Sequence, residues 1–231
     1  MSDPELAPLR GLQWPELDHR TVRTHLEHLG WAMCGVGDWS YVHRSPSGRL
    51  LARVSPFEPA YMHFVELCRR CVGNRHVPRI EIASPLEGGG HLAVLEYLST
   101  PSSRLVERFL WQWAHPDEAD ADLRALRHEV DVMDHWGQRN VPHWGSWIEM
   151  HESHVLRSAD GDLKAIDLFF VEGDDLFNGL IVDPHGFARR MPVNQRRYVL
   201  DLPYLRDDRP ADYVRRLSAA LTDATTESGG S

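Results

Sequence analysis

The sequence predicts an α+β protein in which a small β-rich half is followed by a larger helical half. Up to Leu98, the apolar residues follow strand-like and helix-like patterns in the order strand, strand, helix, strand, strand. Beyond Ser103, they recur at helical spacing over long stretches. The composition changes between these two positions, so we place the boundary between the halves at residue 99.

In the first half, residues 1–16 read as an extended, Pro-containing arm, and 17–98 as a small lobe. The lobe begins with an amphipathic helix that Gly30 closes as a C-cap. A strand–turn–strand, a helix and a second hairpin follow. In the strand–turn–strand, the first strand region is 31–44, the turn is 45–48 and the second strand is 49–55. The helix covers 58–72, and the second hairpin consists of 78–85 and 91–98.

The second half, 99–223, reads as a mainly helical lobe. It opens with two helices, at 102–115 and 117–137, and the second carries acidic residues in its first turn, where the helix dipole favours them. A polar loop at 148–157 and a short strand at 163–170 come next. The chain to residue 205 reads as irregular, a last helix covers 210–223, and 224–231 is predicted to be disordered.

Composition narrows the classes of function. The formal net charge of −9 argues against nucleic acid as the main partner. No stretch reaches the roughly 20 apolar residues of a membrane span, and the N-terminus has no signal-peptide pattern, so we expect a soluble, cytoplasmic protein. Three cysteines cannot form a disulfide framework, and Cys68 and Cys71 read as core residues.

Gly35 and Gly37 lie in the bend of the first hairpin, where glycine permits positive φ and close approach of backbone N–H groups to an anion. Arg53 lies inside the following apolar strand, "LLARV". A cation there either has a buried partner, faces a ligand, or extends along an edge strand to solvent. Turn geometry alone also explains the two glycines.

The loop "IEMHESHVLR" at 148–157 places two carboxylates and two imidazoles within six positions beside apolar segments. Two imidazoles and a carboxylate suit zinc or iron(II), so one interpretation is a transition-metal site. Its candidate ligands are His143, Glu149, His151, Glu152 and His154. The H-E-x-x-H spacing of zinc proteases is absent, because His154 follows His151 by three residues.

Taken in order, these segments resemble the protein kinase-like superfamily, in particular aminoglycoside phosphotransferase-like and small phage or bacterial kinases. The segment Gly35–Val42 resembles the glycine-rich loop, with Ser40 in place of its third glycine, and "LLARV" resembles the lysine strand. The stretch "EMHESHVL" is similar to the catalytic loop D-x-H-x-x-N-x-L, and "LKAIDLFF" to the metal-binding strand. The turn at 74–80 resembles the N-x-H-x-P-x-I turn of the small kinases.

This resemblance implies a two-lobed fold and phosphotransfer from ATP with Mg²⁺. Only 64 residues follow Asp167, which implies a reduced helical lobe. Nucleotide contacts would come from the glycine-rich loop, the charged strand and the strand that enters the hinge. These cofactor-binding residues are Gly35, Gly37, Arg53, Glu66 as partner of Arg53 with Glu58 as second choice, and the backbone of Glu96 to Leu98.

In the catalytic loop, the resemblance makes Glu149 the base or a metal ligand, gives His151 a supporting role, and assigns the metal to His154 and Asp167. Only His151 and Asp167 match the family pattern directly. Glu149 replaces an Asp, His154 replaces an Asn that binds the second metal, and Arg53 replaces a Lys. Imidazole is a poor ligand for magnesium, and an arginine fork differs from an ammonium point charge.

These departures leave three interpretations open. The chain is an atypical phosphotransferase with an unknown acceptor, an inactive pseudokinase that acts as a protein-interaction module, or a His/Glu metal protein. The Arg-rich segment 187–210 suits an interaction surface, but its pattern favours a C-terminal segment packed on the larger lobe. The tryptophans between 111 and 147 favour a packed helical core over a ligand cage.

Overall fold

The structure, a computed structural model, describes residues 3–207 and 209–226. It confirms the α+β class: a five-stranded sheet of order β1-β2-β3-β5-β4 is accompanied by ten α-helices in the described residues. Strands of the main sheet are β1 Ala32–Val36, β2 Tyr41–Arg44, β3 Leu50–Ser55, β4 Ile80–Pro85 and β5 His91–Glu96. A separate antiparallel pair is formed by β6 Val155–Arg157 and β7 Leu163–Ala165.

The helices of the described residues are α1 Ala7–Arg10, α2 His19–His28, α3 Tyr61–Arg70, α4 Ser103–Ala114, α5 Ala121–Asn140, α6 Gly173–Val182, α7 Pro184–Arg190, α8 Val193–Arg196, α9 Pro203–Asp207 and α10 Ala211–Thr226. Helices α2 to α5 follow the predicted order, whereas α1 and the helices between residues 171 and 207 were not predicted. No helix within 3–207 or 209–226 is long and apolar enough to cross a membrane.

Capping residues in the sequence set both ends of α2. Asp18 caps α2 by accepting the N–H of Thr21 at 2.7 Å. Gly30 follows that helix with φ +81°, a conformation in which glycine has no steric penalty. Cys68 and Cys71 are buried on and after α3, as predicted.

The chain forms two compact units. The first unit comprises the described parts of Met1–Glu58, Ile82–Val94 and Glu172–Ser231, and the second unit is Pro59–Glu81 with Leu95–Val171. These units group the chain differently from the predicted lobes, because the C-terminal helices belong with the sheet-bearing unit. Within that unit, the ring of Trp39 stacks on Phe177 of α6 at 6.0 Å, and the N–H of Tyr204 donates to the carbonyl of Asp38.

The structure differs from the prediction at both ends of the chain. Instead of an extended arm, the N-terminus forms helical turns whose Leu6 and Leu9 are fully buried in the core of the first unit. At the other end, α10 continues to Thr226 with Ala224 buried, so the predicted tail is helical for three residues. Residues 227–231 of the predicted tail lie outside the described residues. Both terminal segments are stabilised by burial of apolar side chains, a contribution that secondary-structure propensities do not include.

The segment predicted as irregular, 171–205, is mostly helical. Its helices α6–α9 are short and contain Gly, Asp and Asn, which are weak helix formers. Packing explains the discrepancy: Leu176, Phe177, Phe187 and Leu205 are buried within the first unit. The described part of the Arg-rich segment 187–210 therefore has buried residues in the first unit, among them Phe187 and Leu205, whereas Arg189, Arg190 and Arg197 are exposed.

Asp120, which precedes α5, is a carboxylate of the second unit that is surrounded by several hydrogen-bond donors. It accepts the N–H of Leu123 at 3.0 Å and Nη2 of Arg75 at 2.7 Å, and Nε2 of His76 lies 3.1 Å away. Burial by itself raises the pKa of this carboxyl, but these donors outweigh it and hold the pKa well below the usual range. The His76 ring also reaches the carbonyl of Leu163 at 2.8 Å, so Asp120 supports the turn that positions β7.

We expect Asp120→Ala to lower the free energy of unfolding by about 2–4 kcal/mol at pH 7, through the lost cap and charge-assisted bonds. Because the folded pKa is depressed, the ionic part of this stabilisation is complete above the unfolded pKa of about 3.9 and is lost as pH falls toward the folded value. Urea unfolding of the wild type and of Asp120→Ala at several pH values between 7 and 3 measures how the difference in unfolding free energy changes with pH. Asp18→Ala, which removes mainly a helix cap, is the matched control at about 1 kcal/mol. A difference that stays constant with pH would contradict the ionic role of Asp120.

Candidate functional site

The polar loop at 148–157 is held by backbone bonds to the segment that contains Asp167. Within this segment, His151 precedes a single 3₁₀ turn, Glu152–His154, which runs directly into β6. Strand β6 pairs with β7 in the register Val155↔Ala165. Two further bonds extend this pairing: the N–H of Ile166 donates to the carbonyl of His154 at 2.9 Å, and the N–H of Glu149 donates to the carbonyl of Leu168 at 3.1 Å.

Asp167 therefore lies between two residues that are both hydrogen bonded to the loop. Its φ of 53° is left-handed, and the only other described non-glycine residue with positive φ is His143. This conformation ends the predicted strand early, since β7 stops at Ala165. Non-glycine residues in this region cost free energy and concentrate at functional sites, where the surrounding structure maintains them.

Three side chains of the loop converge. Glu149, His151 and His154 each offer one ligand atom, and these atoms all lie within 4.8 Å of one another. The centroids of the two imidazole rings are 3.8 Å apart, and Nε2 of His151 lies 3.8 Å from Oε1 of Glu149. The side chains are partly exposed, at 35% for Glu149 and 49% for His151. The site is therefore open to solutes.

Hydrogen bonds inside the loop orient both imidazoles. Nδ1 of His154 lies 2.6 Å from the carbonyl oxygen of Glu149, which can only accept, so Nδ1 carries the proton. Nδ1 of His151 lies 3.0 Å from Oγ of Ser153. In each ring Nδ1 is thus occupied, and neither Nε2 makes a hydrogen bond within the described part of the chain.

The remaining candidates from the metal interpretation do not join the cluster. Glu152 is exposed on the 3₁₀ turn. His143 instead lines an open groove of about 530 Å³ formed by residues 138–146. Of five histidine and glutamate candidates, the structure brings together three.

Arg53 forms a buried ion pair with Glu58, the second-choice partner. Its Nη1 lies 2.5 Å from Oε2 of Glu58, and the side chains are 12% and 4% exposed. The first-choice partner, Glu66, lies on α3 in the other unit and contacts Arg69 at 3.9 Å. Burial demands a close partner for the guanidinium, and Glu58 supplies it five residues along the chain. A phosphate contact by Arg53 stays a prediction.

Gly35 and Gly37 occupy the hairpin as predicted, but neither uses positive φ. The described glycines with positive φ are Gly30, Gly48, Gly73, Gly88, Gly89 and Gly161. The hairpin closes through Gly37, whose N–H donates to the carbonyl of Ser40 at 2.9 Å. A register shift occurs between Met33 and Gly35, where a Cβ on Gly35 would make only ordinary contact with Val42. Their predicted role at a phosphate is not tested by this geometry.

The predicted hinge residues are both engaged in the second unit. The N–H of Glu96 donates to the carbonyl of Arg79 at 3.1 Å, and its carboxylate accepts the N–H of Arg79 at 2.8 Å. Leu98 is buried. The N–H of Glu96 is therefore already bonded, and an adenine contact through the backbone of 96–98 stays a prediction.

Two features near the loop were not singled out from the sequence. Lys164 of β7 is buried beside Glu96, with Nζ 3.7 Å from Oε1, and His76 bridges Asp120 and Leu163. The buried pairing of Lys164 could have been anticipated, because this lysine lies inside the apolar run "LKAIDLFF" and a buried cation requires a partner. The partners of His76 are over 40 residues away, so no local pattern reveals them.

The tryptophan prediction was wrong in part. Trp144 is buried, but Trp111, Trp136 and Trp147 are 49%, 46% and 58% exposed. Helices α4 and α5 bury smaller residues instead, such as Val106 and Leu126, so the helical core of the second unit does not need these rings.

No family model matches the chain, and no curated protein matches it. Among solved structures, it is similar to a chain of the CAK complex from Chaetomium thermophilum bound to ATP-gamma-S, with 14% identity and a TM-score of 0.38, over 67% of this chain and 51% of that one. It is also similar to the MAP kinase LmaMPK10 from Leishmania major, with 9% identity and a TM-score of 0.32, over 65% and 50%. A third match is the apo GRMZM2G135359 pseudokinase, with 14% identity and a TM-score of 0.32, over 91% and 88%.

The chain thus spans about half the length of the first two structures that it matches. These neighbours are kinases and a pseudokinase, but such identities and TM-scores do not assign the chain to a family. The α+β class rests on the structure itself, and the kinase-like interpretation of the site stays a proposal.

Proposed function

We propose that the chain is a kinase-like phosphotransferase that uses ATP and a divalent metal, with the loop 148–157 and Asp167 as its metal and phosphate site. The supporting observation is the convergence of Glu149, His151 and His154 in a loop whose backbone is hydrogen bonded to the residues on either side of the left-handed Asp167. Phosphoryl transfer depends chiefly on positioning and on neutralising charge, and a metal held by carboxylates and neighbouring ligands supplies both.

Each residue has a distinct part in this proposal. Asp167 would hold the metal, which would neutralise charge on the phosphate, and Glu149 would accept the proton of the acceptor hydroxyl or share the metal. His154 completes the ligand set, and His151 supports the loop. The backbone bonds from Ile166 and Leu168 keep Asp167 at a fixed distance from the loop, which is the preorganisation that such a site requires.

We expect ATP with Mg²⁺ to raise the thermal midpoint by roughly 5–10 °C at ~100 times its dissociation constant, since such binding adds ~2.7 kcal/mol. With EDTA the shift should disappear. Asp167→Ala should also abolish the metal-dependent shift while the ligand-free protein remains folded. Asp160→Ala, an exposed carboxylate in the turn between β6 and β7, is the matched control and should keep the full shift. An undiminished shift in Asp167→Ala would sink the assignment of Asp167.

A second candidate function is an inactive, pseudokinase-like interaction module. The observation in its favour is the exposure of Trp111, Trp136 and Trp147 in the second unit, because tryptophan is enriched at protein interfaces and uncommon on solvated surfaces. Absence of any ATP-dependent shift, with or without metal, favours this candidate over phosphotransfer.

A further inference from the structure

We infer that Glu149, His151 and His154 bind a late first-row divalent cation such as Zn²⁺ in preference to Mg²⁺. The inference names the metal of the proposed site, makes His151 a ligand as well as a support of the loop, and rests on the proposal that this loop is functional. Metal binding can be measured without nucleotide, so the two can fail separately.

The distances fit a three-ligand site. Ligand atoms around a tetrahedral zinc, with bonds of about 2.0–2.1 Å, lie about 3.4 Å apart. The three atoms here lie within 4.8 Å of one another. Closing this gap needs a shift of about 1 Å. Side-chain rotation provides it because Glu149 and His151 are partly exposed, and the hydrogen bond of His151 within the described residues is the one to Ser153.

The hydrogen bonds of the two rings select the nitrogen that faces the metal. Metal-bound histidines commonly donate their second ring N–H to a carbonyl, carboxylate or similar oxygen, which fixes tautomer and orientation. His154 does so through Nδ1 to the carbonyl of Glu149, and His151 places Nδ1 against Ser153 Oγ. The lone pair of His154 Nε2 is therefore free for a cation, and Nε2 of His151 is the nitrogen on the side of Glu149, the residue that supplies the carboxylate.

The donor set determines which cation is preferred. Two imidazoles and one carboxylate are ligands that zinc, iron(II), cobalt(II) and nickel(II) accept readily. Magnesium requires a near-octahedral shell of oxygen atoms and keeps most of its water, so two nitrogen ligands disfavour it. Three protein ligands also leave a coordination position open, in which a water or a phosphate oxygen can bind.

The test is titration of the metal-free full chain with Zn²⁺ by calorimetry, with and without millimolar Mg²⁺, and with Co²⁺ as a visible-absorption probe. We expect one Zn²⁺ per chain, retained in excess Mg²⁺. His151→Ala and His154→Ala should each weaken Zn²⁺ binding at least ~100-fold, since each removes one of three ligands. His135→Ala, an exposed histidine on α5, and Cys34→Ser, the exposed thiol, should bind Zn²⁺ as the wild type does.

A substitution at one ligand separates the metal classes. His154→Asn replaces the imidazole with an amide oxygen, so we expect weaker Zn²⁺ binding and a gain in Mg²⁺ binding. Because His151 is half exposed, its alanine variant should fold even if His154→Ala does not, which keeps the test decisive. Unchanged Zn²⁺ affinity in His151→Ala, or no Zn²⁺ bound below millimolar concentration, would overturn the inference. Zn²⁺ binding without an ATP response would preserve it and remove the phosphotransfer proposal instead.

Discussion

Gly89→Ala should lower the free energy of unfolding by more than about 3 kcal/mol, through backbone overlap and a strained φ. A Cβ at this position would overlap the backbone carbonyl of Gln195, which cannot rotate away. The φ of +96° adds strain for any other residue. The carbonyl of Gly89 also accepts the N–H of Glu58 at 3.1 Å, so movement here disturbs the partner of Arg53.

Gly73→Ala is the matched control for this prediction. Its φ is +90°, but no heavy atom lies within 4 Å of the added Cβ, so only the backbone cost of about 1 kcal/mol applies. Chemical denaturation of both variants measures the difference, which isolates the steric term. Equal losses of stability in the two variants would show that the contact with Gln195 is looser than the structure has it.

Lys164→Met should lower the free energy of unfolding by about 3 kcal/mol or more, because it leaves the carboxylate of Glu96 buried without its cation. Both side chains are only 10% exposed, with 3.7 Å between Nζ and Oε1. The backbone N–H of Arg79 remains as a donor to Glu96, but neither this neutral donor nor the Arg79 guanidinium, which is 62% exposed and paired with Glu81, replaces the buried ammonium.

A double-mutant cycle with Glu96→Gln tests the pairing directly. The combined Glu96→Gln and Lys164→Met variant should be more stable than Lys164→Met alone, since no buried charge then lacks a partner. Urea denaturation of the four proteins at pH 7 gives the coupling free energy. Additive losses, with a coupling near zero, would mean that the two groups are separately solvated.

The fold class followed from local patterns, and so did the loop at the centre of the candidate site. The hairpins at β1–β3 and β4–β5, the helices α2 to α5 and the cap at Asp18 all depend on residues within a few positions of one another. The cluster of Glu149, His151 and His154 is of the same kind, because six consecutive positions can bring three side chains together whatever the rest of the fold does.

The errors arose where distant packing outweighed local preference. The helices within 171–205 contain weak helix formers and are stabilised by packing, as where Phe177 of α6 stacks on Trp39. The N-terminal segment was predicted to be extended because of its prolines, but Leu6 and Leu9 are buried beneath the sheet of their own unit. Burial of that apolar surface contributes free energy that no propensity scale includes.

The sequence by itself determined which reactive groups are available. These are the two imidazoles and the carboxylate of Glu149, His151 and His154 in one short loop, Asp167 eighteen residues after Glu149, and the cation Arg53 in an apolar strand. Tertiary structure decided the partners. It paired Arg53 with Glu58, aligned Asp167 with the loop through Ile166 and Leu168, and packed Gly89 against Gln195. The reason is physical: spacing along the chain sets contacts only over a few residues, whereas pairing of buried charges and close backbone contacts depends on how distant segments fill the same space.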